Sequence, residues 1–525
     1  MFQDVLVYPD IPYLREQIIP YIGNKRRLLP LIFQSMRSVF PEGFAGKRFL
    51  DLFAGSGSVS RLARCLGFTV YANDWEQYAY VLNHAYLEVN RGKLDGMFGR
   101  WGGLRRLLDT LNSLPHCGRE QEYVARFYSP RDDRNPDYRT ERLFYTRHNG
   151  LRIDTIRTWI EQAYPGEPVE HDRRREKHLL LALLLHQAAI HTNASGVFKA
   201  FHKGFGGFSG DALGRIMKPI ALPFPVLVDS PYPARVFRRE AGRLLREELA
   251  GVSFDLAYLD PPYNQHQYGS NYHLLNTIAL WDKPLLREPP GGKAAIRKDW
   301  VKTRSDYCYR HRAEQAFAEL LELVRARVIL VSYSTEGIIP FDRLIRLCAA
   351  RGKVSLHTNR YVTYRGGRQS ARRQNNTIEF VAVIETGRRS SGADLRLVED
   401  AIRERELSLQ LKKSYRSAAL EERFILDRER GSIGMQVDGA TLWIRTRGLY
   451  TIDEPDLIGR VEALAVSPET KRRIRTQLLE NLQQCECRDR TEELEELLGR
   501  AERGDGEELA CLLPSVLRKI AHKKY

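Results

Sequence analysis

An apolar run of strand-forming residues, Phe254-Asp255-Leu256-Ala257-Tyr258-Leu259, stops at Asp260 and two consecutive prolines, Pro261 and Pro262, followed by Tyr263. A run of this kind predicts a buried strand with Asp260 at its carboxyl end, where ligands bind in open α/β sheets. The prolines fix φ and remove two backbone donors, so the carbonyls of Asp260 and Pro261 are left to accept hydrogen bonds from a ligand. Tyr263 adds a flat face beside them. Two acceptors and a stacking face suit a planar group carrying an amine, such as the exocyclic NH2 of a nucleobase. Taken alone, the four residues fit a rigid strand-ending turn equally well, and the rest of the chain has to decide.

Upstream, Lys47-Arg48-Phe49-Leu50-Asp51-Leu52-Phe53-Ala54-Gly55-Ser56-Gly57-Ser58-Val59 predicts a short buried strand, a small-residue turn and the start of a helix. Gly55 and Gly57 permit positive φ and close approach of the backbone to a ligand. The third glycine of the dinucleotide fingerprint is missing, which suits a cofactor without a pyrophosphate. Thr69-Val70-Tyr71-Ala72-Asn73-Asp74 predicts a second strand ending in an acid, about twenty residues on, where a carboxylate would hold ribose hydroxyls. Before all of these, Tyr21-Ile22-Gly23-Asn24-Lys25 leads into Leu28, Leu29, Leu31 and Ile32, a spacing that predicts a helix after a glycine-containing turn.

A chain of 525 residues can hold a large core and accessory domains, and its net charge of +16 points to a polyanionic partner. The amino terminus lacks a basic segment followed by an apolar core, and no run reaches membrane-spanning length, so a soluble, cytoplasmic protein is expected. The seven cysteines have no paired CxxC spacing. They are expected to be reduced, with neither a disulfide framework nor a zinc site, and no metal is expected.

Tyr21 to Lys25, Asp51 to Gly57, Asn73-Asp74 and Asp260 to Tyr263, in that order, resemble the S-adenosylmethionine-dependent adenine-N6 DNA methyltransferases, and within them the Dam-like group. Similarity to the restriction-modification branch extends through Asn149 to Asp154, Asn193 to Phe198, Asn264 to His273 and Val331 to Gly337, so that the resemblance covers roughly residues 15 to 385. It implies an α/β fold: a Rossmann-like seven-stranded methyltransferase sheet with an inserted, mainly helical target-recognition region and a C-terminal α+β accessory domain. Strands are expected near residues 49, 69, 235, 255, 329, 353 and 378. The expected division is 1–94 for the cofactor-binding part of the core, 95–245 for the recognition region, 246–387 for the catalytic part of the core and 388–525 for an accessory domain.

The resemblance also implies roles. Tyr21 and Lys25 would flank the methionine moiety of the cofactor, Asp51, Phe53, Ala54, Gly55 and Gly57 would line its pocket, and Asp74 would bind the ribose. Asp260 and the Pro261 carbonyl would accept the two amine hydrogens within the rigid Asp260-Pro261-Pro262-Tyr263 unit, and Tyr263 would stack on the base. The family's acid for the cofactor adenine has only Glu240 as a counterpart. The implied activity is methyl transfer from S-adenosylmethionine to the N6 amine of a flipped adenine in double-stranded DNA. A cognate restriction or defence protein is the expected partner. The alternatives are a methyltransferase for RNA or a protein glutamine, and a non-catalytic DNA-binding specificity subunit, for which intact catalytic and glycine motifs would be superfluous.

Two basic, aromatic stretches, Phe198 to Phe208 and Arg360 to Arg373, are expected to contact DNA. The charge run Asp172 to Lys177 suits a solvated helix face at least as well as phosphate contact. Beyond a linker at Arg388 to Gly392, amphipathic helices near 395–429 and a hairpin around Asp438-Gly439 are expected.

Overall fold

In the computed structural model of the chain, the residues described are 11–207, 210–286, 294–358, 377–427, 429–437, 440–447, 451–454, 456–485 and 487. They divide into two compact units, one formed by residues up to 358 together with 377–395, the other by residues from 396 onward.

The first unit is organised by a seven-stranded sheet: β1 (Arg48–Asp51), β2 (Thr69–Asn73), β3 (Ala234–Phe237), β4 (Phe254–Leu259), β5 (Ala326–Ser334), β6 (Lys353–Thr358) and β7 (Glu379–Glu385). Their order across the sheet is β3-β2-β1-β4-β5-β7-β6. All neighbours pair in parallel except β7, which is antiparallel to both β5 and β6. Helices Ser58–Cys65, Gln77–Glu88, Ala313–Leu323 and Phe341–Arg351 alternate with the strands, as parallel crossovers require. β4 sits in the middle of the sheet, and its side chains are buried apart from the half-buried Asp255, which is why its sequence is a nearly continuous apolar run.

The position of the site follows from the topology. From β1 the chain steps outward through β2 and β3, then returns to lay β4 on the other side of β1. The order reverses between β1 and β4, and a crevice opens at the carboxyl ends of these two strands. Asp51 closes β1 and Asp260 follows β4 there.

Between β2 and β3 lies a helical insertion containing Leu104–Ser113, Val124–Tyr128, Arg147–Ala163 and His171–Ile190. Its buried arginines and asparagines act as internal clamps. Arg152 donates to the carbonyls of Leu111, Asn112 and Leu114, closing the end of helix Leu104–Ser113. Arg157 donates to the carbonyls of Ile278 and Ala279 at the end of helix His273–Leu280. Asp154 accepts the amides of Tyr123, Val124 and Ala125, and Gly150 lies so close to Ser129 and Ala125 that a Cβ would come within 2.4 Å of the Ser129 hydroxyl oxygen. Asn149 ties distant loops by donating to the carbonyls of Ile216 and Lys218 and accepting the Ile220 amide, and Asn193 by donating to the carbonyls of Leu143 and His202. Much of the run Asp172 to Lys177 is used internally too: Glu176 pairs with Arg100 and Lys177 with Glu161.

The second unit carries a meander of four antiparallel strands, β8 (Ile425–Asp427), β9 (Ser432–Val437), β10 (Ala440–Arg447) and β11 (Thr451–Ile452), ordered β11-β10-β9-β8. Ile433, Met435, Ile444, Leu478 and Leu482 join this sheet to helix Pro468–Gln484 in a core of its own. β9 and β10 pair from Val437–Ala440 outward, so they form the expected hairpin, whose Asp438-Gly439 turn lies outside the described residues. Helices Gly392–Gln410 and Ser417–Glu421 occupy most of the span expected to be helical, but Ile425–Asp427 is an edge strand, held by its register with Ser432–Gly434. The stretch Arg360 to Arg373 falls outside the described residues. No described helix is long and apolar enough to cross a membrane.

Candidate active site

The glycine turn after β1 is shaped by its left-handed residues. Gly55 and Gly57 take φ of +54° and +78°, and a Cβ on Gly55 would lie 2.8 Å from the Tyr21 ring. The Ala54 amide bonds to the Asn73 carbonyl at 2.9 Å, and the Asn83 side chain holds the Gly55 carbonyl at 3.0 Å. Asp74, just beyond β2, accepts the Gly55 amide at 2.8 Å through one oxygen and the Glu76 amide at 2.9 Å through the other. The acid and the turn are therefore built as one unit, and each oxygen keeps a lone pair for a ligand hydroxyl.

Asp51 is 1% exposed and accepts the Ser60 hydroxyl at 2.6 Å, while its other oxygen is buried without a partner. Burial pushes its carboxyl up to about 7. Phe53 lines the same crevice and packs edge-on against Tyr307.

Tyr21 to Lys25 is the segment that joins the two halves. Tyr21 stacks on Tyr268 and Tyr272, with centroids 5.2 and 5.1 Å away. Both backbone groups of Ile22 are held from beyond the catalytic motif: its amide donates to the Tyr272 hydroxyl at 2.8 Å and its carbonyl accepts that of Tyr268 at 3.1 Å. Asn24 bonds to the Ser56 and Ser58 hydroxyls of the glycine turn. The Lys25 ammonium lies 2.9 Å from Asp260 Oδ1 and 5.0 Å from the centroid of the Tyr263 ring.

This last contact sets the electrostatics. Burial drives the Asp260 carboxyl upward and Lys25 opposes it, leaving it at about 6. Burial acts most strongly on Lys25 and disfavours its charge, but Asp260 together with the neighbouring Tyr263 and Glu379 holds the ammonium well above its ordinary value. The pair is thus ionised at neutral pH, with Lys25 buried and Asp260 half-buried in the wall of a cleft.

Pro261 is buried, and the Tyr263 carbonyl accepts the Ile338 amide at 3.0 Å, which pins the end of the motif to the loop after β5. The Tyr263 hydroxyl donates to Glu379 Oε1 at 3.1 Å. A cleft of about 280 Å³ runs past Tyr21, Lys25, Phe53, Asp74, Asp260 and Tyr263, and Asp51, Ala54 and Gly55 line a small adjoining recess. Gly57 stands one step behind it as the residue preceding helix Ser58–Cys65. Glu240 borders the cleft, but its two oxygens cap helix Ala241–Glu247 by accepting the amides of Gly242 and Arg243.

Sequence reasoning did not identify Asn83, Glu379 or the roles of Tyr268 and Tyr272. Only the last two carried a signal, as tyrosines in the string after the catalytic motif.

Compared with known families, residues 21–165 and 247–321 match the D12 class of N6 adenine-specific DNA methyltransferases. Those intervals contain both ends of the cleft. Both stretches are similar to this family. Restriction-modification methylases are among the chain's relatives, and it spans about half the length of the first of them. It is 30% identical over 368 residues to modification methylase LlaI of Lactococcus lactis subsp. lactis, covering 69% of this chain and 54% of the relative. It is 29% identical over 367 residues to the type II methyltransferase M.NlaIII of Neisseria lactamica, covering 70% of this chain and 98% of that protein. A third relative, the type II methyltransferase M.FokI of Planomicrobium okeanokoites, is 29% identical over 334 residues, 47% of its length. The family implies S-adenosylmethionine as methyl donor and DNA as substrate.

Proposed function

We propose that the chain extrudes one adenine from its target duplex into the cleft and there transfers a methyl group to N6, with Asp260 and the Pro261 carbonyl accepting the two amine hydrogens. The observation that carries this reading is the buried Lys25–Asp260 pair at 2.9 Å, which keeps a carboxylate charged beside a rigid carbonyl and an aromatic face. The adenine amine is a poor nucleophile because its lone pair is delocalised into the ring. Two strong acceptors favour a more tetrahedral nitrogen whose lone pair is free to attack, so the protein contributes orientation and electrostatics. Tyr263 replaces part of the stacking lost on extrusion.

The residues present fit S-adenosylmethionine. The glycine turn packs its backbone against Tyr21 and Asn83 with no room for a Cβ, Asp51 keeps a buried, unpartnered oxygen, and Asp74 retains acceptor capacity for ribose hydroxyls. When bound, the cofactor supplies a sulfonium methyl as electrophile. Tyr21, Phe53, Ala54, Gly55 and Gly57 would shape its pocket, and Lys25 serves chiefly to hold Asp260 ionised.

The insertion between β2 and β3 is the target-recognition region in this reading. Lys199 and Lys203, exposed on a loop anchored by the buried Phe198, are its candidate phosphate contacts. The unit from residue 396 onward serves DNA or partner contact, the protein works in the cytoplasm, and a cognate restriction enzyme is its partner. Transfer of labelled methyl groups to duplex DNA by the purified chain tests the reaction. Asp260→Ala abolishes transfer and leaves DNA binding intact; substantial residual transfer in that variant contradicts the mechanism.

A further inference from the structure

Glu379 opens β7 opposite Ser334 of β5, outside every motif that identifies the family. Its Oε1 accepts the Tyr263 hydroxyl at 3.1 Å, and its Oε2 is buried with no hydrogen-bond partner. A buried carboxylate oxygen left unpaired costs stability, so a role in packing does not account for it. The second torsion of a tyrosine side chain is broad, so backbone anchoring alone does not fix the ring plane. Here the ring is held at both ends: the Tyr263 carbonyl by the Ile338 amide, the hydroxyl by Glu379, with Tyr333 against the ring edge at 5.5 Å.

We propose that Glu379 is a positioning residue for methyl transfer, fixing the plane of Tyr263 through its hydroxyl so that the ring meets the extruded base in one orientation. This rests on the reading of Tyr263 as the stacking platform. The anchor also places a second carboxylate beside the Lys25–Asp260 pair, so that the Lys25 ammonium faces Asp260, the Tyr263 ring and, beyond its hydroxyl, Glu379.

The test is a double-mutant cycle between Tyr263→Phe and Glu379→Ala. It is read by single-turnover methyl transfer and by the emission of 2-aminopurine placed at the target adenine, with cofactor affinity as the control for folding. Glu379→Ala is expected to slow transfer about tenfold, the worth of one hydrogen bond to a charged group, with cofactor affinity unchanged. Glu379→Gln, whose amide oxygen still accepts the hydroxyl, recovers most of the rate. The double variant is no slower than Tyr263→Phe alone, and 2-aminopurine emission changes in Glu379→Ala and not in Glu379→Gln. Additive losses, no loss in Glu379→Ala, or no recovery in Glu379→Gln overturn the proposal while leaving the stacking reading intact. If Tyr263→Ala alters neither rate nor emission, the stacking reading fails and the proposal falls with it.

Discussion

Replacing Lys25 with methionine removes the charge that keeps Asp260 ionised and retains much of the side chain's bulk. The ammonium lies 2.9 Å from Asp260 Oδ1 in a buried site, and with it the carboxyl titrates at about 6. An opposite charge at this range lowers a carboxyl pKa by about 1–3 units, so its loss moves Asp260 to about 7–9. The sign is fixed by the chemistry: protonated Asp260 loses acceptor capacity, so activity disappears as pH falls through its pKa. With a pKa of about 8, the ionised fraction near pH 7 drops from about nine-tenths to about one-tenth. The acid limb of the kcat/KM profile for methyl transfer is therefore expected near pH 6 in the native protein and at least one unit higher in Lys25→Met, with activity partly restored at high pH. A uniform loss at every pH, with the limb unmoved, would refute the reasoning and place Lys25 on the cofactor instead.

Asp154→Ala leaves the buried amides of Tyr123, Val124 and Ala125 without acceptors and is expected to cost about 3 kcal/mol or more, seen as a lower Tm with cofactor binding retained below it. Gly57→Ala places a Cβ 2.6 Å from Asn83 Oδ1 at a φ of +78°, and calorimetry should show weaker cofactor binding by a folded protein. Deleting residues 390–525 should spare cofactor binding and weaken DNA binding or alter site choice; unchanged DNA affinity and site choice would remove the accessory role.

The central strand, the glycine turn and the acids at the strand ends were legible because each is a local pattern: an apolar run stopped by prolines, glycines where φ must be positive, an acid after a strand. Periodicity alone supports an α/β sandwich, the seven-stranded sheet comes with the family resemblance, and β3 lies where a strand is expected near residue 235, inside the interval 95–245. Glu379 was not legible, because its meaning depends on β7 inserting antiparallel between β5 and β6, some 120 residues after Tyr263 in the chain. The pinning of Ile22 by Tyr268 and Tyr272 is likewise a contact between distant segments. In the insertion, Arg152 and Arg157 cap helices from buried positions, so an arginine-rich composition overstated the charge available to DNA. Ile425–Asp427 became a strand because a neighbouring edge was available to pair with it, which helical spacing in one segment does not reveal.

The most direct test of the central claim is to express the chain in a host that lacks adenine methylation and map modified adenines across the genome, with Asp260→Ala in parallel. N6-methyladenine at one sequence motif, present with the native chain and absent with the variant, is the predicted result. A folded, cofactor-binding protein that leaves every genomic adenine unmodified, or an Asp260→Ala variant that methylates as the native chain does, would contradict it.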